Sequence, residues 1–180
     1  MARYLYSFEK VLPPVSRRGV AACYLLLHRA LLVLLLACIG TMPVVSAADT
    51  PLPPAVNLMQ DAAASVRQGM PLIVLVSLTG CQFCERIRRQ HLAPMVKSGV
   101  MIRQVHLDSD SALTDFAGKP ITQRHFARAV AVKVAPTVLF FDAQGVQLAD
   151  ALVGAMIDDY YSVYLDQAIA TAKKALAARS

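Results

Sequence analysis

The chain has 180 residues, 56% of them hydrophobic and 17% charged, with a formal net charge of +6; this leaves room for one domain plus a targeting segment and excludes two full domains. Five basic residues, Arg3, Lys10, Arg17, Arg18 and Arg29, stand against the single acid Glu9 in residues 1–48, so residues 49–180 are close to neutral. No basic block marks one face of a folded domain, and nucleic acid is excluded from the expected partners.

Residues 1–48 read as a signal peptide for export to the periplasm. A basic region containing Ser16-Arg17-Arg18 leads into apolar runs at 20–27 and 30–40, and Thr41-Met42-Pro43 then breaks any helix. Small side chains at Val45-Ser46-Ala47 and Ser46-Ala47-Ala48 suit cleavage after Ala47 or Ala48. Several alternatives stay open. Residues 20–40 could remain as an uncleaved membrane anchor with Arg29 snorkelling. Leu35-Leu36-Ala37-Cys38 resembles a lipoprotein box, and Arg17-Arg18 a twin-arginine signal. A leader of this length also admits a later translation start.

Residues 49–54, Asp-Thr-Pro-Leu-Pro-Pro, predict an extended linker, and residues 55–180 one domain. Residues 55–68 predict an amphipathic helix, with Val56, Leu58, Met59, Ala63 and Val66 apolar, stopped by Gly69. The continuous apolar run at 72–78 predicts a strand buried on both faces. Thr79-Gly80 makes a turn, and Cys81-Gln82-Phe83-Cys84 opens the next helix, which Pro94 kinks or restarts. A second strand is predicted at 100–107, basic helical residues around 121–130, and a third strand at 137–141. Asp142-Ala-Gln-Gly145 predicts a hairpin turn into a strand over 146–153. A final helix is predicted over 157–178, with Tyr160, Tyr161, Tyr164, Leu165 and Ile169 as packing candidates. Alternation of this kind predicts an α/β fold, a central mixed β-sheet flanked by helices on both faces.

Of the four cysteines, Cys23 and Cys38 lie in the leader, so the domain keeps only Cys81 and Cys84. A bridge between residues three apart closes too small a loop to stabilise much by chain entropy, which favours redox chemistry over a purely structural bond. Structural zinc wants four ligands, and there is no second cysteine pair; His91, His106 and His125 form no ligand pattern. No metal and no cofactor beyond the cysteine pair is expected. Glu85 stands where covalent haem attachment needs histidine.

The place of the pair matters more than its spacing. Cys81 follows a buried strand at a helix start, where unpaired N–H groups and the helix dipole stabilise a thiolate. The thiolate is the nucleophile in exchange. Cys84, one turn on, is more shielded and suits a resolving role. Gly80 leaves room for a substrate, Gln82 and Phe83 tune the thiolate, and Arg86 and Arg88 favour it while Glu85 opposes it.

The buried strand, the Cys81-Gln-Phe-Cys84 helix start and Val134-Ala135-Pro136-Thr137 before the next strand resemble the thioredoxin superfamily over roughly residues 55–178. Within it the chain is similar to exported bacterial thioredoxin-related proteins, including those associated with sulfur oxidation, and the stretch Phe116-Ala-Gly-Lys-Pro-Ile-Thr122 points that way. The resemblance implies a thioredoxin-like fold and thiol–disulfide oxidoreductase activity, with Cys81 as nucleophile and Cys84 as resolving thiol. It further implies a cis proline at Pro136 facing the disulfide, with the Ala135 backbone pairing with substrate. The implied partners are exported client proteins and a membrane thiol–disulfide electron carrier, and a monomer is expected. Two departures stand out: Gly80 replaces the family's tryptophan, and Leu75 replaces its buried carboxylate. A dithiol oxidase and a non-enzymatic peptide- or metal-binding module of the same fold remain alternatives.

Overall fold

The computed structural model describes residues 51–155 and 160–179. The leader, with Cys23 and Cys38, and the predicted first residues of the last helix, 157–159, lie outside the described residues. In chain order the elements are α1 (Leu58–Arg67), β1 (Leu72–Ser77), α2 (Gln82–Ile87), a π-helical turn (Arg88–Leu92), α3 (Ala93–Lys97) and β2 (Ile102–His106). There follow β3 (Ala112–Thr114), β4 (Pro120–Thr122), α4 (Gln123–Ala129), β5 (Thr137–Phe141), β6 (Leu152–Val153) and α5 (Tyr161–Ala177).

The four-stranded sheet runs β2-β1-β5-β6. β1 lies parallel to β2 and antiparallel to β5, and all six of its residues are buried, as its unbroken apolar run predicts. Side chains alternate along a strand, so each residue of β1 commits to one of two cores. Ile73 and Leu75 pack with Ile87, Leu92, Tyr161, Leu165 and Ile169 beneath α2 and α5. Leu72, Val74 and Val76 pack with Leu58, Ala62, Phe126 and Phe141 beneath α1 and α4. The sheet is therefore mixed, with helices on both faces.

The described part of the linker is extended and lies along edge strand β2: Pro54 makes an isolated parallel bridge to Gln104, the Gln104 N–H donates to the Pro53 carbonyl at 2.9 Å, and Leu52 is buried. Proline serves there because only one side of that segment is paired. The structure corrects several sequence expectations. Helix α1 buries Leu58, Ala62 and Ser65, not Val56 and Met59, which are exposed. Asn57 caps it by accepting from the Gln60 N–H at 3.0 Å, and Ala62 and Ser65 are fully buried. On α5, Tyr161, Leu165, Ile169, Ala172 and Leu176 face inward at helical spacing, whereas Tyr160 and Tyr164 are 58% and 42% exposed.

The hairpin strand predicted over 146–153 is broken. Gln147 makes one bridge to Phe141, the chain then leaves the ladder, and only Leu152 and Val153 return as β6. The stretch 116–122 contributes β4, which pairs with β3 in a separate two-stranded sheet that the sequence reading did not foresee. Phe116 closes on Phe126 and Phe141 with ring centroids 6.1 and 4.9 Å away. A Cβ on Gly145 would strike the Phe116 side chain, and its φ of +79° is also one that glycine favours.

Pro94 acts as expected, by a specific route. It has no N–H to donate to the carbonyl four residues back, and its ring crowds that carbonyl. The helix widens into the π turn, the Ala93 N–H bonds the Arg88 carbonyl five residues back, and α-helix resumes with Pro94 in its first turn.

Candidate active site

Cys81 and Cys84 are joined in a disulfide, with Cα atoms 5.2 Å apart. Cys81 is the N-cap of α2, and its sulfur accepts from the Cys84 backbone N–H at 3.0 Å. One of the N–H groups a helix start leaves unpaired therefore already points at that sulfur. Cys84 is fully buried and Cys81 is partly exposed. Incoming groups can reach one sulfur and not the other.

A cavity of about 440 Å³ opens beside Cys81, lined by Leu78, Thr79, Gly80, Gln82, Glu85, Arg88 and His106. The structure thus brings together Cys81, Gly80 and Gln82. Phe83, Ala135 and Pro136 do not line this cavity. Phe83 is 57% exposed, with the Arg86 guanidinium 5.6 Å from its ring centre. The Ala135–Pro136 bond is cis and immediately precedes β5. Continuing the β1–β5 register, which pairs Val76 with Thr137, sets Pro136 opposite Ser77, four residues before Cys81. The predicted substrate-binding residues therefore divide between the cavity, the exposed helix start and the neighbouring strand end.

Gly80 also has a backbone reason of its own. Nothing lies within 4 Å of where its Cβ would sit, so crowding within the chain does not exclude a side chain; its φ of +71° is what favours glycine. The flanking charges also differ from a simple tally, because Glu85 and Arg88 form an ion pair at 2.8 Å and largely offset each other. The Thr79 hydroxyl, bonded to Asp108, holds that exposed carboxyl below its usual range, with a smaller contribution from nearby His106.

His106 is the residue of this site that sequence reasoning passed over. Counting ligand spacings makes it an unremarkable histidine. A usable signal was its place at the end of the second strand, level with the end of the first. Among the other histidines, His91 stacks on Tyr161 at 4.9 Å and His125 is exposed on α4. Among the described residues no group of three or more His, Cys, Asp or Glu side chains is placed to hold a metal ion. No described helix is long and apolar enough to cross a membrane.

Comparison with known proteins supplies the family. No curated protein matches. Solved structures similar to this chain include mitochondrial thioredoxin 3 from Saccharomyces cerevisiae in its oxidised form, 16% identical with a TM-score of 0.45, covering 68% of this chain and 96% of that one. The periplasmic thioredoxin SoxS from Paracoccus pantotrophus, in its reduced form, is 16% identical with a TM-score of 0.38, covering 57% of this chain and 98% of that one. A thioredoxin-fold protein from Helicobacter pylori is also 16% identical, with a TM-score of 0.40 and coverage of 66% and 91%. A family model described as a thioredoxin-like domain matches residues 58–169, more than half of the chain and the whole span from α1 into α5, and the chain belongs to that family.

Proposed function

We propose that this protein is an exported thiol–disulfide oxidoreductase that reduces or exchanges disulfides of client proteins through Cys81 and Cys84. The observation that carries the reading is the disulfide itself: it sits at the start of α2, with Cys81 partly exposed and Cys84 buried. In the forward direction the Cys81 thiolate attacks one sulfur of a client disulfide. That S–S bond breaks, one client sulfur leaves as thiolate and takes up a proton, and a mixed disulfide joins Cys81 to the other. Cys84 then loses its proton and attacks the Cys81 sulfur, releasing the second client thiol and closing the Cys81–Cys84 bond. Two electrons pass from the dithiol to the client.

Gly80, Gln82 and Phe83 flank the attacking sulfur, and Ala135 and Pro136 offer backbone to an extended client segment. The apolar run at 30–40 and the small residues at 45–48 support export to the periplasm, where a membrane thiol–disulfide carrier would return the electrons. The same site run in reverse is a dithiol oxidase, and the pair's potential against its partners sets the direction. The test is insulin disulfide reduction by the full chain with dithiothreitol as electron source. Cys81→Ser is expected to fall to the uncatalysed rate, while Cys84→Ser accumulates a mixed disulfide on Cys81. Undiminished turnover by Cys81→Ser would contradict the reading.

A further inference from the structure

The disulfide form leaves hydrogen-bonding groups unused beside Cys81. Ser77 ends β1 on the face shared with Ile73 and Leu75, the residues packed beneath α2. The parallel register places His106 beside it. Ser77 Oγ and His106 Nδ1 are both buried, and neither has a hydrogen-bond partner. Such groups are normally paired, so two neighbouring exceptions require an explanation.

The ring of His106 is held in place. The Gln104 side-chain amide lies 2.7 Å from its Nε2, and its backbone N–H donates to Gln123 Oε1 at 2.8 Å. The role requires the tautomer in which Nε2 accepts from the Gln104 amide and Nδ1 carries the proton. The charged groups around it are Glu85 and Arg88 on the helix side, joined to each other, and Asp108 beyond the end of β2. His106 and Cys81 line one cavity.

We propose that His106 is a positioning residue for the reduced site: its Nδ1–H, flanked by the Ser77 hydroxyl, is the donor kept for the Cys81 thiolate. The role rests on the dithiol cycle proposed above. On reduction by two glutathione thiols the Cys81–Cys84 bond takes up two electrons, glutathione disulfide forms, Cys84 retains a proton and Cys81 releases its own to solvent. His106 moves no proton; it donates a hydrogen bond to the sulfur that has become negative. The position of the buried family carboxylate, Leu75, lies one step deeper on the same face and carries no polar group. A neutral donor thus stands near where a proton acceptor is absent.

The test equilibrates the full chain and His106→Phe, which has no side-chain donor, in glutathione buffers at fixed pH, and follows Cys81 ionisation by thiolate absorbance. Loss of the donor disfavours the thiolate. The equilibrium constant for oxidation by glutathione disulfide is expected to rise about tenfold, about 30 mV towards the reducing side for a two-electron couple. Cys81 should become about tenfold weaker as an acid, the same free energy read in protons. A folded His106→Phe with both quantities unchanged overturns the role. Should that variant fail to fold, the ring nitrogens of the unmutated chain decide: a protonated Nδ1 whose ¹⁵N resonance moves on reduction, tracking Cys81 ionisation, supports the role. A bare or unmoved Nδ1 overturns it. An unmutated chain that exchanges nothing with glutathione overturns the dithiol cycle and this role together.

Discussion

The two faces of the sheet solve the same problem differently. Under α1 and α4, the buried Ser65 Oγ donates to the Pro71 carbonyl at 2.8 Å, and the partly buried Arg103 donates to both Asp61 carboxylate oxygens at 2.8 and 2.6 Å. The exception on that side is Arg124 Nε, in the first turn of α4. Under α2 and α5, Ser77 Oγ, Gln104 Oε1, His106 Nδ1 and the Tyr161 hydroxyl are all buried without a partner. One face is completed by packing and pairing. The other, on which the disulfide sits, keeps hydrogen-bonding capacity that the oxidised state does not use.

Mutations can break that contrast, beginning with the largest effect. Phe126→Ala, removing a ring that packs 6.1 Å from both Phe116 and Phe141, is expected to cost about 3–5 kcal/mol in denaturant unfolding. Ser65→Ala should cost about 1–3 kcal/mol, because it strands a buried carbonyl that the hydroxyl now satisfies. Ser77→Ala, equally buried, should leave the stability of the disulfide form unchanged within about 0.5 kcal/mol or raise it, since no partner is lost. A penalty for Ser77 equal to that for Ser65 would erase the difference between the faces.

Tyr161 gives the smallest effect and a pH signature. Burial holds its phenol neutral and pushes its ionisation well above the usual tyrosine range. The folded state therefore resists losing a proton that the unfolded chain gives up near its ordinary value of about 10. Stability from this group is intact below that pH and declines as pH rises above it. Tyr161→Phe should be nearly neutral at pH 7 and should shallow the alkaline decline measured by thermal unfolding.

How much was legible in the sequence follows from the same contrast. Residues 72–77 could be read because a strand buried on both faces needs an unbroken apolar run, and Cys81 and Cys84 because two cysteines at a strand–helix junction carry their chemistry locally. The inward face of α1 was misread because its packing uses Ala62 and Ser65, small residues that carry little hydrophobic signal. The β3–β4 pair was missed because three-residue strands have too few positions to show alternation. His106 was missed because its relation to Cys81 exists only across strands, in the register of β1 with β2.

The central claim is that Cys81 and Cys84 cycle between dithiol and disulfide, and the most direct measurement is the redox potential of the full chain. Equilibration in glutathione and dithiothreitol buffers, read by thiol-alkylation mass shift, should give a single two-electron transition between about −270 mV, typical of a thioredoxin reductant, and about −120 mV, typical of a strong oxidase. A transition below about −300 mV, where structural disulfides of secreted proteins lie, would contradict the account.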